Sequence, residues 1–339
     1  MRAAVLLSLS FVIFISCNND SADDRYSEDF NSNENYISHF IFVGIAGKTP
    51  SLYSFDLSTH KHKKFWYKPR ENVIDYSVSP DFQKAYFLTA LSIEEGGSLP
   101  LIRKLKLYLA DLRTSEVKHI KNFGNVGQII TAWEDENTYR IIINTFDTFI
   151  ATELNQVKQL YNGFGKLLID ESKTFDILKD GFPSTFRMKK KYESPSGRFI
   201  IKEDSEKKFF LLNDRTTKQV DTLKADSMYI SDFEFSRSDN YIVARFVSGE
   251  PNTVTNSVDS SLTLIYSLSN KKNIREWKHK GISNFIIINR FFVFDMGSGT
   301  ESKILVYDVR ADKVIHSINI RGGCGLKNIP GVVVYDVVD

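Results

Sequence analysis

Leu52-Tyr53-Ser54-Phe55-Asp56-Leu57-Ser58-Thr59 and Leu107-Tyr108-Leu109-Ala110-Asp111-Leu112-Arg113-Thr114 are two copies of one pattern. Each is an aromatic and aliphatic run that fits a pleated strand, closed by Asp, Leu and a polar turn. Phe209 to Asp214-Arg215-Thr216-Thr217 and Ile304 to Asp308-Val309-Arg310 repeat it. Looser copies run from Phe149 to Glu153-Leu154-Asn155 and from Leu262 to Ser267-Leu268-Ser269. An Asp at a strand end accepts bonds from backbone N–H groups two residues on, which closes a hairpin. The anchors at 56, 111, 153, 214, 267 and 308 are spaced by 55, 42, 61, 53 and 41 residues. A strand-rich unit of about 50 residues that recurs six times cannot bury its apolar face alone and must stack on its neighbours.

A second element precedes several anchors. Ser77-Val78-Ser79-Pro80-Asp81 leads into Ala85-Tyr86-Phe87-Leu88, and Tyr192-Glu193-Ser194-Pro195-Ser196-Gly197 leads into Phe199-Ile200-Ile201. Phe233-Glu234-Phe235-Ser236-Arg237-Ser238-Asp239 leads into Tyr241-Ile242-Val243-Ala244. The sequence here resembles the TolB-like and WD40-like propeller repeat, whose hallmark is Ser-Pro-Asp-Gly between the inner strands. Two copies miss that hallmark by one residue: Phe82 stands for Gly, and Ser196 stands for Asp. The resemblance covers residues 36–339. It implies an all-β fold, a β-propeller of six four-stranded blades, or seven if residues 163–187 form one more.

Strands are expected at 73–79, 84–90, 103–111 and 116–121 in the second unit. In the sixth they are expected at 283–288, 290–296, 303–308 and 313–320. The first unit has three, at 38–45, 52–56 and 63–67. The final run, Gly331-Val332-Val333-Val334-Tyr335-Asp336-Val337-Val338, is expected to supply its missing strand and close the ring, removing two exposed edges.

The N-terminus reads differently. Arg2 precedes an apolar run from Ala3 to Ile15, a length that fits a signal-peptide core rather than a membrane span. Phe14-Ile15-Ser16-Cys17 resembles the lipobox of bacterial lipoproteins, with Phe14 in place of the usual Leu. The resemblance implies a signal peptide at 1–16, a lipid on Cys17 and attachment to a membrane. Asn18 after the cysteine implies sorting to the outer membrane of a Gram-negative-type bacterium, on its periplasmic or surface side. Residues 18–35 carry six acids against Arg25 and no aliphatic side chain larger than Ala. Such a segment cannot offset its ordering entropy by burial and reads as a tether. Beyond residue 35, 42 basic residues face 36 acids. That spread-out excess does not make a nucleic-acid footprint.

With Cys17 modified, Cys324 has no partner for a disulfide. No nucleophile elbow, P-loop, His-Glu-x-x-His or dinucleotide fingerprint occurs, so no catalytic residue, metal ligand or cofactor is assigned. His60-x-His62 lies in a turn among Lys61, Lys63 and Lys64, which disfavour a cation. Gly322-Gly323-Cys324-Gly325 reads as a link into the last strand. Glu94-Glu95, Glu134-Asp135, Glu203-Asp204 and Asp81 read as turn or surface residues. Trp66, Trp133 and Trp277 read as packing between repeats. Arg187-Met188-Lys189-Lys190-Lys191 is the densest basic run and reads as a solvated strand start.

Two functions of different class remain. One is a binding or scaffold module for protein or glycan partners at the cell envelope. The other is a propeller-type hydrolase, lactonase or lyase with a metal at the mouth of the channel. A close TolB relative is disfavoured, because that family is soluble and Cys17 implies an anchor.

Overall fold

A computed structural model describes residues 39–46, 49–94, 100–146, 153–180, 187–189, 192–204, 206, 208–236, 239–248, 261–279, 282–296, 301–321, 326 and 334–336. The anchor repeats become antiparallel meanders of consecutive strands. The first sheet holds β1 (His39–Ala46), β2 (Thr49–Asp56) and β3 (Lys61–Trp66). The second holds β4 (Asn72–Val78), β5 (Lys84–Ala90), β6 (Ser92–Glu94), β7 (Leu101–Asp111) and β8 (Val117–Val126). The third runs β9 (Gln128–Trp133), β10 (Thr138–Phe146), β11 (Glu153–Asn162) and β12 (Leu167–Asp176). A short helix α1 (Ile177–Asp180) and β13 (Arg187–Lys189) follow. The fourth sheet is β14 (Phe199–Glu203), β15 (Phe209–Asp214) and β16 (Val220–Lys224). The fifth is β17 (Tyr229–Phe235), β18 (Tyr241–Val247), β19 (Ser261–Ser267) and β20 (Lys272–His279). The sixth is β21 (Ile282–Ile288), β22 (Phe291–Met296), β23 (Glu301–Asp308) and β24 (Lys313–Arg321). A last strand, β25 (Val334–Asp336), pairs with β13. The architecture is all-β, a β-propeller built of small meander sheets.

The sheets pack face to face in series, and aromatic rings cross the junctions. Trp66 of the first sheet lies 5.1 Å from Phe87 of the second. Tyr86 stacks on Tyr139 of the third at 4.1 Å. Phe210 of the fourth meets Phe233 of the fifth at 5.2 Å. Trp277 of the fifth stacks on Phe292 of the sixth at 5.5 Å. Phe55 of the first sheet meets His316 of the sixth at 4.8 Å. One buried cluster therefore holds Phe40, Leu52 and Phe55 together with Ala85 and Phe87 on one side and Ile286, Val293 and Val306 on the other. Full burial of each such side chain contributes about 1.5–3 kcal/mol. Among the described residues, no buried hydrophobic cluster joins the third sheet to the fourth.

One expectation is corrected. The C-terminal strand does not join the first sheet: Val334 to Asp336 pair with Lys189 to Arg187. A Val-rich run specifies a strand, but its unpaired backbone groups can be satisfied at any free edge, and residue pattern does not choose between edges. The first and last sheets meet instead through side chains. Of the stretch 163–187, Leu167–Asp176 is the outer strand of the third sheet, and Arg187 opens β13 of the two-stranded sheet.

The long 61-residue interval has the same origin. Glu153 opens β11 rather than ending a strand, and the hairpin anchor is Asn162. Its Oδ1 accepts the N–H groups of Phe164 at 3.0 Å and Lys166 at 2.9 Å. With Asn162 in the series, the spacings become 55, 51, 52, 53 and 41 residues.

Candidate functional site

In an antiparallel meander the first and third strands run the same way. Their ends share one rim of the domain, the lower, and their starts share the other, the upper. The repeated motifs sit at strand ends and are consumed by turns. Asp56 accepts Ser58 N at 2.8 Å and Thr59 N at 3.0 Å. Asp111, Asp214 and Asp308 do the same for the residues two and three further on. Asp214 is also gripped by Arg198, at 3.1 Å from Nε and 2.8 Å from Nη2, which holds its carboxyl far below the usual range. Ser79 Oγ accepts Lys84 N at 2.9 Å, and Asp81 accepts Gln83 N at 3.1 Å. Where Ser196 replaces the Asp of that motif, the next sheet supplies the acid. Asp239 Oδ2 accepts Ser194 Oγ at 2.9 Å and Ser196 N at 3.2 Å.

The other residues singled out from sequence fall in the same way. Asp135 closes a turn onto Asn137 and Thr138, and Asp204 closes one onto Glu206, Lys208 and Phe209. Glu94 pairs with Arg103, and Glu134 with Arg140. All three tryptophans pack against rings of a neighbouring sheet. The ring of His60 lies 6.2 Å from that of His316, a neighbour that 255 intervening residues hid from sequence reading. Burial first, then the positive neighbours His60 and His62, pulls the His316 imidazole below its ordinary value. Among the described residues, no group of three or more His, Cys, Asp or Glu side chains is placed to hold a metal ion. Cys17, Cys324, Glu95 and the glycines around Cys324 lie outside the described residues.

The upper rim carries the polar side chains that turns do not use. Glu71, just before β4, takes Lys106 Nζ at 2.6 Å, Tyr108 Oη at 2.7 Å, Lys68 Nζ at 2.5 Å and Thr89 Oγ1 at 3.4 Å. Burial alone would push its carboxyl up, but the bonds from Lys106, Lys68 and Tyr108 outweigh that and hold it at about 2. In the third sheet, Gln156 donates to Asn144 at 3.1 Å, and Asn144 donates to Gln128 at 2.8 Å.

The most concentrated group lies between the fifth and sixth sheets. Asp232 stands opposite Arg245 in the β17–β18 ladder, at a bulge. Asp295, buried on β22, accepts Asn284 N at 2.7 Å and Asn284 Nδ2 at 3.3 Å. Burial pulls the Arg245 guanidinium down, against the pull of Asp232 and Asp295. Glu234 reaches across to Ile287 N at 3.5 Å. Burial, helped by the charge of Asp232, pushes the Glu234 carboxyl well above its ordinary range. The group therefore sets two carboxylates and a guanidinium beside a third carboxyl whose oxygen accepts a backbone N–H. Perturbed ionisable groups concentrate at functional sites, and this group is the candidate here. Sequence reading missed it because Asp232 meets Arg245 only through the β17–β18 pairing, and Asp295 joins them only by the packing of the sixth sheet on the fifth.

No family model matches the chain, and no curated protein is similar to it. Solved structures are. TolB from Acinetobacter baumannii is 11% identical with a TM-score of 0.43, covering 87% of this chain, which spans just under two thirds (66%) of TolB. A putative 6-phosphogluconolactonase from Bacteroides uniformis is 12% identical with a TM-score of 0.44, covering 87% of this chain and 98% of its own. An oligogalacturonate lyase from Vibrio parahaemolyticus is 12% identical with a TM-score of 0.34, covering 82% and 73%.

Proposed function

We propose that the chain is an exported lipoprotein, held to the outer membrane through Cys17, whose propeller binds a protein or glycan partner at the cell envelope. One observation carries this reading: the order of parts along the chain. Phe14-Ile15-Ser16-Cys17 is followed by an acidic segment without larger aliphatic residues, and then by a strand-built body from His39. Such an order suits a rigid binding head on a leash. The enzyme alternative needs metal ligands at the channel mouth, and a metal analysis of the purified chain tests it.

Growth of cells on an alkyne-tagged fatty acid tests the anchor. The wild-type chain is expected to carry the tag and to sediment with membranes, and Cys17→Ala is expected to lose both. Purification from native membranes in mild detergent tests the binding role. A stable companion protein or glycan is expected, and recovery of the chain alone every time counts against it.

A further inference from the structure

Outer strands in the other sheets each send apolar side chains inward. Trp66 of β3, Ile120 and Phe123 of β8, Leu223 of β16, Trp277 of β20 and Ile318 of β24 all join a core cluster. The strand β12 sends none. Every residue from Leu167 to Thr174 is exposed, with Leu167, Leu168 and Ile169 at 37%, 47% and 45%. Among the described residues its sole strand partner is β11. It therefore offers a row of backbone N–H and C=O groups of the kind that templates pairing with another chain.

The side chains of β12 show what fits it. Asp170 bonds to Gln159 and approaches Lys121 of the second sheet at 4.0 Å, so its face is turned toward that sheet. By the two-residue alternation, Ile169, Glu171, Lys173 and Phe175 share the opposite face. Read in order they are apolar, acidic, basic, apolar, and the Lys173 ammonium lies 4.7 Å over the Phe175 ring. This order is its own complement when the strand is reversed about Ser172. Antiparallel pairing of two copies sets Glu171 opposite Lys173 twice and Ile169 opposite Phe175 twice.

We propose that β12 is a homodimer interface, in which it pairs antiparallel with β12 of a second copy about a two-fold axis at Ser172. The two third sheets then form one continuous sheet. A two-fold contact needs one self-complementary patch, and opposite charges placed across strands favour the pairing where like charges disfavour it. The inference is independent of the lipid on Cys17.

Sedimentation of the mature full chain in detergent tests it, and a dimer is expected. Glu171→Lys sets like charges across the axis twice and is expected to weaken the dimer about tenfold, as is Lys173→Glu. The double variant E171K/K173E restores opposite charges and is expected to recover wild-type affinity. Circular dichroism is expected to be unchanged in all three, because both side chains are exposed. Ser172→Cys is expected to cross-link under mild oxidation, since opposed Cα atoms lie within disulfide reach. Val220→Cys, on exposed β16, is not. A monomer at every concentration, a dimer indifferent to the single reversals, failure of the double variant to recover, or absence of the Ser172→Cys cross-link would each overturn the assignment.

Discussion

Phe82 takes the place of the glycine in Ser-Pro-Asp-Gly and keeps the glycine's backbone, at φ 58°. A bulky residue there is strained by about 1–2 kcal/mol, yet Phe82 is buried in the core beside Leu112 and Val78, which contributes more. The departure that weakened the sequence motif thus has a packing cause. Glu71 is the opposite case, a residue whose one local partner is Lys68. Its partners Thr89, Lys106 and Tyr108 lie 18, 35 and 37 residues away. Only packing brings them to one carboxylate. The folded value near 2 lies below the ordinary 4.5. Its contribution is therefore fully present above about pH 4.5 and lost as pH falls through about 2. Glu71→Gln is expected to cost about 1–2 kcal/mol at pH 7, since solvent screens part of the ion pairing. It is also expected to flatten the decline in stability between pH 4.5 and 2. Urea denaturation at a series of pH values checks both.

At the scale of the element, the hairpin after each anchor was legible in part. Asp56, Asp111, Asp214 and Asp308 bond to the N–H groups their sequence context implied, because the interaction spans only two or three residues. The anchor of the third sheet was misplaced, since Asn162-Gly163-Phe164-Gly165 performs the turn without an Asp-Leu signature. A regular feature of these turns carries no sequence signal at all. The residue four places after the anchor is left-handed in five of the six sheets: His60, Ser115, Lys218, Lys271 and Asp312, with φ between 48° and 63°. The third sheet uses Gly165 one place earlier, at φ 82°. Imidazole, hydroxyl, ammonium and carboxylate share nothing that a pattern search detects; the hairpin imposes the conformation upon them. Lys218 is exposed, and its N–H donates to Asp214 O at 2.8 Å, a bond that glycine retains. Relief of the left-handed strain outweighs the extra freedom glycine gives the unfolded chain. Lys218→Gly is therefore expected to stabilise the protein by about 0.5–1 kcal/mol, and Lys218→Val to destabilise it by more than that. Thermal melts of the two variants against wild type decide the sign.

For the whole molecule, the all-β architecture and the antiparallel pairing of consecutive strands followed from sequence because most sheets are meanders of neighbours, so local signals determine their pairing. Closure did not, because it joins residues almost a full chain apart. The expected seal was backbone pairing of the last segment, Gly331 to Val338, with the first sheet; what joins first sheet to last is a buried wall of side chains. Phe55 stands in that wall, fully buried, stacked on Phe40 at 5.2 Å and meeting His316 at 4.8 Å. The described part of the last segment makes only the three-residue ladder of β25 with β13. A short two-stranded ladder is marginal in water by itself, whereas truncating a buried Phe costs about 3–5 kcal/mol. Removal of residues 331–339 is accordingly expected to cost less than about 1 kcal/mol, and Phe55→Ala about 3–5 kcal/mol. Urea midpoints of the two variants at equal slope compare them directly. If loss of the tail proves the costlier change, the ring is sealed by its last strand after all, and the contact of Phe55 with His316 is a consequence of closure rather than its cause.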